Sequence, residues 1–175
     1  MKPAYSTAQK FMHWLMATLI LLMLCGGFFM GDVPNELKPT VYMLHKSFGV
    51  LILMLIPVRL IIRFSNPPHP VYRFNHFIHY IIIKLSVPVL YIMMTTIAFS
   101  GFYMVLKAGY SIDFFNLFSI KSLFETDLEI AKIAKYIHKN GVIIGLVIVS
   151  MHILAAFYHH FALKDDSLKS MLPLK

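Results

Sequence analysis

Four long apolar stretches, separated by polar or proline-bearing segments, dominate the 175-residue chain. The first follows Ser6-Thr7-Ala8-Gln9, whose S-x-x-Q form is a capping box, and runs through Phe11 to Phe29 until Gly31 and Pro34 end it. The second is expected from about Val41 to Phe64, with Thr40 as its N-cap, a kink at Pro57 and a stop before Asn66-Pro67-Pro68. The third covers roughly His79 to Leu106 and contains Pro88. The fourth begins near Asp127, becomes fully apolar after Lys139 and ends around Leu163, before Lys164-Asp165-Asp166. Each apolar core has about 20 residues, enough to cross a hydrocarbon layer at 1.5 Å per residue. The pattern predicts an all-α integral membrane four-helix bundle, one domain over residues 1–175 with spans at about 9–30, 41–64, 79–106 and 130–163.

Composition supports this reading. Hydrophobic residues make up 58% of the chain, above the roughly 45–50% of a soluble globular domain. The first span is too long for a signal-peptide core, and no small-residue cleavage site follows it. Four crossings put both termini on one side. Lys2, Lys10, Arg59, Arg63, Arg73, Lys84, Lys164, Lys169 and Lys175 lie there, against Lys38, Lys46, Lys107, Lys121, Lys132, Lys135 and Lys139 on the other. That bias favours cytoplasmic termini. The net charge of +8 flanks the spans, with no basic soluble module to bind nucleic acid. Cys25, the single cysteine, excludes an internal disulfide and a c-type haem attachment, and it reads as a small packing residue.

Nine histidines are an unusual supply of nitrogen ligands for so apolar a chain. His13 lies near the start of the first span, His45 near the start of the second, and His138 and His152 on the fourth. Antiparallel connectivity places His13 towards the inner side, and His45 and His138 towards the outer side. From His138 to His152 the fourth helix descends 14 residues, about 21 Å, and turns only about 40°, so it returns to nearly the same face at the depth of His13. Two cross-membrane pairs follow, His45 with His138 and His13 with His152. Bis-imidazole ligation suits a b-type haem used for electron transfer, because both axial positions are filled. Two stacked haems would relay electrons across the bilayer.

Gly49, Gly141 and Gly145 lie on the faces of these histidines, where a flat macrocycle could approach the backbone. The same spacing of Gly141 and Gly145 also suits plain Gly-x-x-x-Gly helix packing. His159, seven residues after His152, is placed to hydrogen-bond a quinone or move its proton, whereas His160 reads as interfacial. His69, His76 and His79 read as loop or headgroup residues. Arg59, Arg63, Arg73 and Lys84 are either partners for inner haem propionates or snorkelling anchors.

The chain resembles the bacterial cytochrome b561 proteins, four-helix dihaem cytochromes of the inner membrane. The resemblance rests on Tyr5-Ser6, His13-Trp14-Leu15, Met43-Leu44-His45 with Gly49, Val58-Arg59-Leu60, and His152 through His159-His160 to Lys164-Asp165. It implies two b haems on His13, His45, His138 and His152, in contact with membrane lipid, and exchange with ubiquinone. It further implies superoxide as an outer one-electron donor, steered by the outer lysines. An alternative within the same architecture is an anchor or relay subunit linking a partner dehydrogenase or hydrogenase to quinone. A haem-free transporter or scaffold would purify without colour.

Overall fold

The computed structural model describes residues 5–67 and 77–172, without the side chains of Ile78 and His79. Lys2, His69, Arg73, His76 and Lys175 therefore lie outside the described residues. In chain order the elements are α1 (Thr7–Phe29), α2 (Lys38–Ser65), α3 (Phe77–Lys107), β1 (Ile112–Phe114), β2 (Phe118–Ile120), α4 (Leu128–Phe161) and α5 (Ser167–Met171). α1 to α4 are long and apolar enough to cross a membrane, and they form a four-helix bundle.

Local chemistry sets the helix starts. Ser6 and Gln9 complete the capping box: Ser6 Oγ accepts from the Gln9 N–H, and Gln9 Oε1 accepts from the Ser6 N–H at 2.8 Å. Gln9 Nε2 also donates to the Asn66 carbonyl at 2.6 Å, so the cap that starts α1 fastens the end of α2. Thr40 is not the N-cap of α2. The helix begins at Lys38 with Leu37 as cap and no side-chain cap bond. Pro39 falls in the first turn, where a helix needs no N–H from that residue and the fixed φ of proline favours entry. α2 and α3 continue through Pro57 and Pro88. Asp127 caps α4, accepting from Glu129 and Ile130.

Packing is uneven, and this creates the site. α3 lies along α4, α1 along α2 and α2 along α3, while α4 has no comparable packing against α1 or α2 among the described residues. Met12, Met16, Ile52, Ile56, Met93 and Met94 form the buried core of α1, α2 and α3. Only 6% of the apolar window of α4 is buried, so its remaining faces need lipid or another apolar partner. The protein is a multi-pass membrane protein in contact with lipid. α4 has 34 residues, about 51 Å of helix, so it overreaches a hydrocarbon core of about 30 Å.

The connection from α3 to α4 folds back as an antiparallel hairpin, with Ile112 opposite Ile120 and Phe114 opposite Phe118. Its turn needs positive φ at Phe115 (49°) and Asn116 (58°), a strained choice for phenylalanine. Ser47 of α2 fixes it: its fully buried Oγ accepts from the Phe115 N–H at 2.9 Å and lies 3.0 Å from the Asp113 carbonyl. The Phe115 ring meets Phe48 edge-on at 5.0 Å. Ser47→Ala removes these hydrogen bonds from half-buried backbone groups and should weaken hairpin docking by about 0.5–1.5 kcal/mol. Faster limited proteolysis within residues 112–120, with the long helices uncut, is the expected readout.

Candidate functional site

Histidines of α1 and α2 approach histidines of α4. His13 of α1 and His152 of α4 face each other at the end bearing the termini, with ring centroids 6.4 Å apart. His45 of α2 and His138 of α4 do so at the hairpin end, at 6.3 Å. A metal ion bonded to one nitrogen of each imidazole at about 2.0–2.1 Å separates the ring centres by about 6 Å. Both separations would leave room for one ion held between the two imidazoles. The described residues hold no group of three His, Cys, Asp or Glu side chains that could form an ordinary metal cage.

Around His45 and His138 lies a cavity of about 570 Å³, bounded by all four long helices and by Ile112 of the hairpin. Its wall is apolar apart from the two histidines, Lys46, Lys139 and Tyr42. The size falls within the range of cofactor pockets. His138 Nδ1 is 2.8 Å from the Ile97 carbonyl. A carbonyl only accepts, so the ring proton sits on Nδ1 and the Nε2 lone pair is left for a metal, the usual way a backbone group sets a ligand's tautomer.

Gly101 makes that contact sterically possible. A Cβ there would stand 2.8 Å from Cε1 and Nδ1 of His138, and a Cβ at Gly27 would stand 3.3 Å from Cε1 of His45. Sequence reasoning missed both glycines; a glycine deep in an apolar span at the depth of a histidine was the available signal. Gly141 and Gly145 serve helix packing: a Cβ at either would press on Ile97 of α3, at 3.0 and 2.9 Å. Gly49 meets only Met23 Cε at 3.8 Å and lines the cavity, as does Gly145.

The other pair has different surroundings. Arg59 Nη2 approaches His13 Nδ1 at 2.8 Å, its guanidinium lies 5.6 Å from the Tyr91 ring centre, and Nη1 is 3.9 Å from Met16 Sδ. Lys84 instead lies over Tyr80, and Arg63 shares a small cavity with Arg59, Tyr91 and Gln9. Among the described residues Arg59 alone of the expected inner cations touches one of the four paired histidines.

His159 is buried at the end of α4, and its Nδ1 is 2.6 Å from Asp165 Oδ2. Two features bring Asp165 back: a left-handed turn at Lys164 (φ 51°) and an Asp165 N–H that donates to the His159 carbonyl at 3.1 Å. Asp165 Oδ1 accepts from the Ser167 N–H and hydroxyl. A carboxylate on Nδ1 orients the imidazole and makes Nε2 the proton-exchanging atom. His160 Nδ1 is buried and has no hydrogen-bond partner among the described residues.

The family model for prokaryotic cytochrome b561 matches residues 4–174. The chain belongs to this family. Along essentially its whole length it is 26% identical to "Probable superoxide oxidase CybB" of Yersinia pestis, over 175 residues that cover 100% of this chain and 99% of the relative. "Cytochrome b561 homolog 1" of Escherichia coli strain K12 is 25% identical, with 97% of each chain covered. "Cytochrome b561 homolog 2" of the same organism is 28% identical over 96% of this chain and 90% of its own. As a cytochrome b561 family member the protein is a membrane electron-transfer protein, and the family implies b-type haem. The facing imidazoles, the apolar cavity and the carbonyl-set tautomer of His138 fit that group.

Proposed function

We propose that this cytochrome carries two b haems, one between His13 and His152 and one between His45 and His138, and passes electrons from a one-electron donor at the hairpin end to ubiquinone. The observation that carries the proposal is the two facing imidazole pairs, at 6.4 and 6.3 Å, on the seam where α4 leaves α1 and α2 unpacked. A haem held this way accepts and returns one electron without opening a site for oxygen at iron. The pairs are separated along α4 by 14 residues, about 21 Å, so electrons can be stored singly on the path to a two-electron acceptor.

The chain's residues supply the rest. At the hairpin end Lys46 and Lys139 stand at the cavity wall, where their charge raises the local concentration of a small anion such as superoxide. Superoxide loses one electron and leaves as dioxygen; two such electrons and two protons convert ubiquinone to ubiquinol. His159, oriented by Asp165, delivers a proton at the terminal end. The reading places the protein in a bacterial inner membrane with cytoplasmic termini. The name of the Yersinia relative supports superoxide as donor.

A pyridine-haemochrome assay on detergent-purified protein tests the core of this reading, with two haems per chain expected and none refuting it. Reduction of ubiquinone by superoxide without added protein is the expected activity. Activity that appears only with a co-purified dehydrogenase or hydrogenase would reassign the chain as an anchor subunit. His159→Ala should keep both haems and slow ubiquinone reduction by about 10²–10⁴-fold, the usual worth of a proton-transfer group. Wild-type turnover in that variant would remove His159 from the site.

A further inference from the structure

The connection between α3 and α4 lies outside the spans, yet it exposes large apolar side chains. Leu123 is 96% exposed, and Leu117, Phe118 and Phe124 are at least half exposed. A patch of this kind on an extramembrane segment marks contact with another apolar surface. The hairpin's geometry fixes which way it faces. Side chains directly opposite on paired strands share a face, and successive ones alternate. Ile112, Phe114, Phe118 and Ile120 are therefore on one side, and Asp113 and Ser119 on the other. The polar side closes on itself, with Ser119 Oγ donating to Asp113 Oδ1 at 2.5 Å. The apolar side faces the bundle: buried Ile112 packs with Val50 of α2 and Leu106 of α3. Phe118 shares that side but extends past the helices, because β1 packs along α2 while β2 has no comparable packing on a long helix among the described residues. It thus projects towards the membrane plane beside the bundle.

The exposed surface of α3 runs into the same patch. Phe99 stacks on Tyr103 at 5.6 Å, and Tyr103 meets the Phe124 ring edge-on at 5.8 Å, a ladder that climbs from the apolar span onto the connection. Lys107, the last residue of α3, lies over the Phe124 ring at 5.6 Å and donates to the Glu125 carbonyl. An aromatic ring beside a lysine where a span ends is the arrangement of an anchor at headgroup level. We propose that the connection is such an anchor: the apolar side of the hairpin, with Leu123 and Phe124, lies in the phospholipid headgroup layer beside α2 and α3, while Asp113 and Ser119 face water. The occupant of the patch is the bilayer surface that continues from the sparsely buried face of α3. Ile112 lines the cavity around His45 and His138, so lipid under β2 holds one wall of that cavity in place. The inference needs the spans alone and is independent of the haems.

The test places nitroxide labels one at a time, through Phe118→Cys, Leu123→Cys and Ser119→Cys in a Cys25→Ser chain, in phospholipid nanodiscs. Power-saturation EPR compares collisions with oxygen, which concentrates in lipid, and with a nickel chelate, which stays in water. The oxygen-to-nickel accessibility ratio at positions 118 and 123 should exceed that at position 119 several-fold. Equal, water-like ratios at all three positions would overturn the proposal. Labels at positions 118 and 123 shielded from both reagents would overturn it too, and would assign the patch to a protein such as a second copy of the chain. The unsubstituted chain provides a check that needs no variant to fold: a phospholipid with a photoactivatable diazirine near its glycerol backbone should leave adducts within residues 117–124 as well as on the long helices. Adducts confined to the helices would refute the anchor.

Discussion

His138→Ala is expected to purify with one haem per chain in place of two, and His45→Ala should remove the same spectral component. Each substitution removes one imidazole from a pair whose rings stand 6.3 Å apart, so neither leaves a bis-histidine site at the hairpin end. Alanine leaves bare methyl groups in an apolar wall, with no nitrogen to replace the ligand. The loss is thus one of coordination, not of packing. His13 and His152 lie about 21 Å away along α4, so the other component should persist in both variants. Absorbance spectra of the two variants, reduced minus oxidised, make the check. Different missing components in His45→Ala and His138→Ala would show that these residues do not share a centre.

Gly101→Val should have nearly as large an effect without touching a ligand. A Cβ at position 101 would lie 2.8 Å from both Cε1 and Nδ1 of His138, closer than real contacts allow. The imidazole must therefore leave the Ile97 carbonyl, and with that bond goes the constraint that keeps Nε2 available. Loss of such a supporting contact typically costs 10–100-fold in metal affinity. Haem retention at the hairpin end should fall accordingly. Gly27→Ala, with its Cβ 3.3 Å from His45 Cε1, should show a milder loss because a small ring displacement relieves it. Gly26→Ala is the control: its Cβ meets nothing within 4 Å. Haem content measured across this series should follow the order Gly26→Ala, Gly27→Ala, Gly101→Val, and equal content in all three would refute the steric argument.

The contrast between these residues separates two kinds of information. The amino-acid sequence alone determined the four spans, because apolar runs of membrane-crossing length admit few structures other than helices. It also determined which histidines meet. Helical rise and phase fix the depth and face of His138 and His152 on one rigid rod, and antiparallel connectivity brings His45 and His13 to those depths. The capping box of Ser6 and Gln9 was legible for the same reason, being a contact within a single turn.

Contacts between elements were decided only by the tertiary structure. Helical periodicity could not assign Gly141 and Gly145 to packing on α3, or Gly101 to the ring of His138, because those roles depend on which helix lies alongside and at what rotation. The docking of Phe115 on Ser47 joins residues 68 apart, and the Asp165 contact on His159 depends on a left-handed turn at Lys164, an unusual conformation for a lysine. Arg59 is the sharpest case. Four cations competed for the same role in the chain, and only the packing of α1, α2 and α3 set one guanidinium between Tyr91, Met16 and His13. Periodicity along one helix fixes depth and face; the neighbour on that face is set by how separate helices pack, which no single segment encodes.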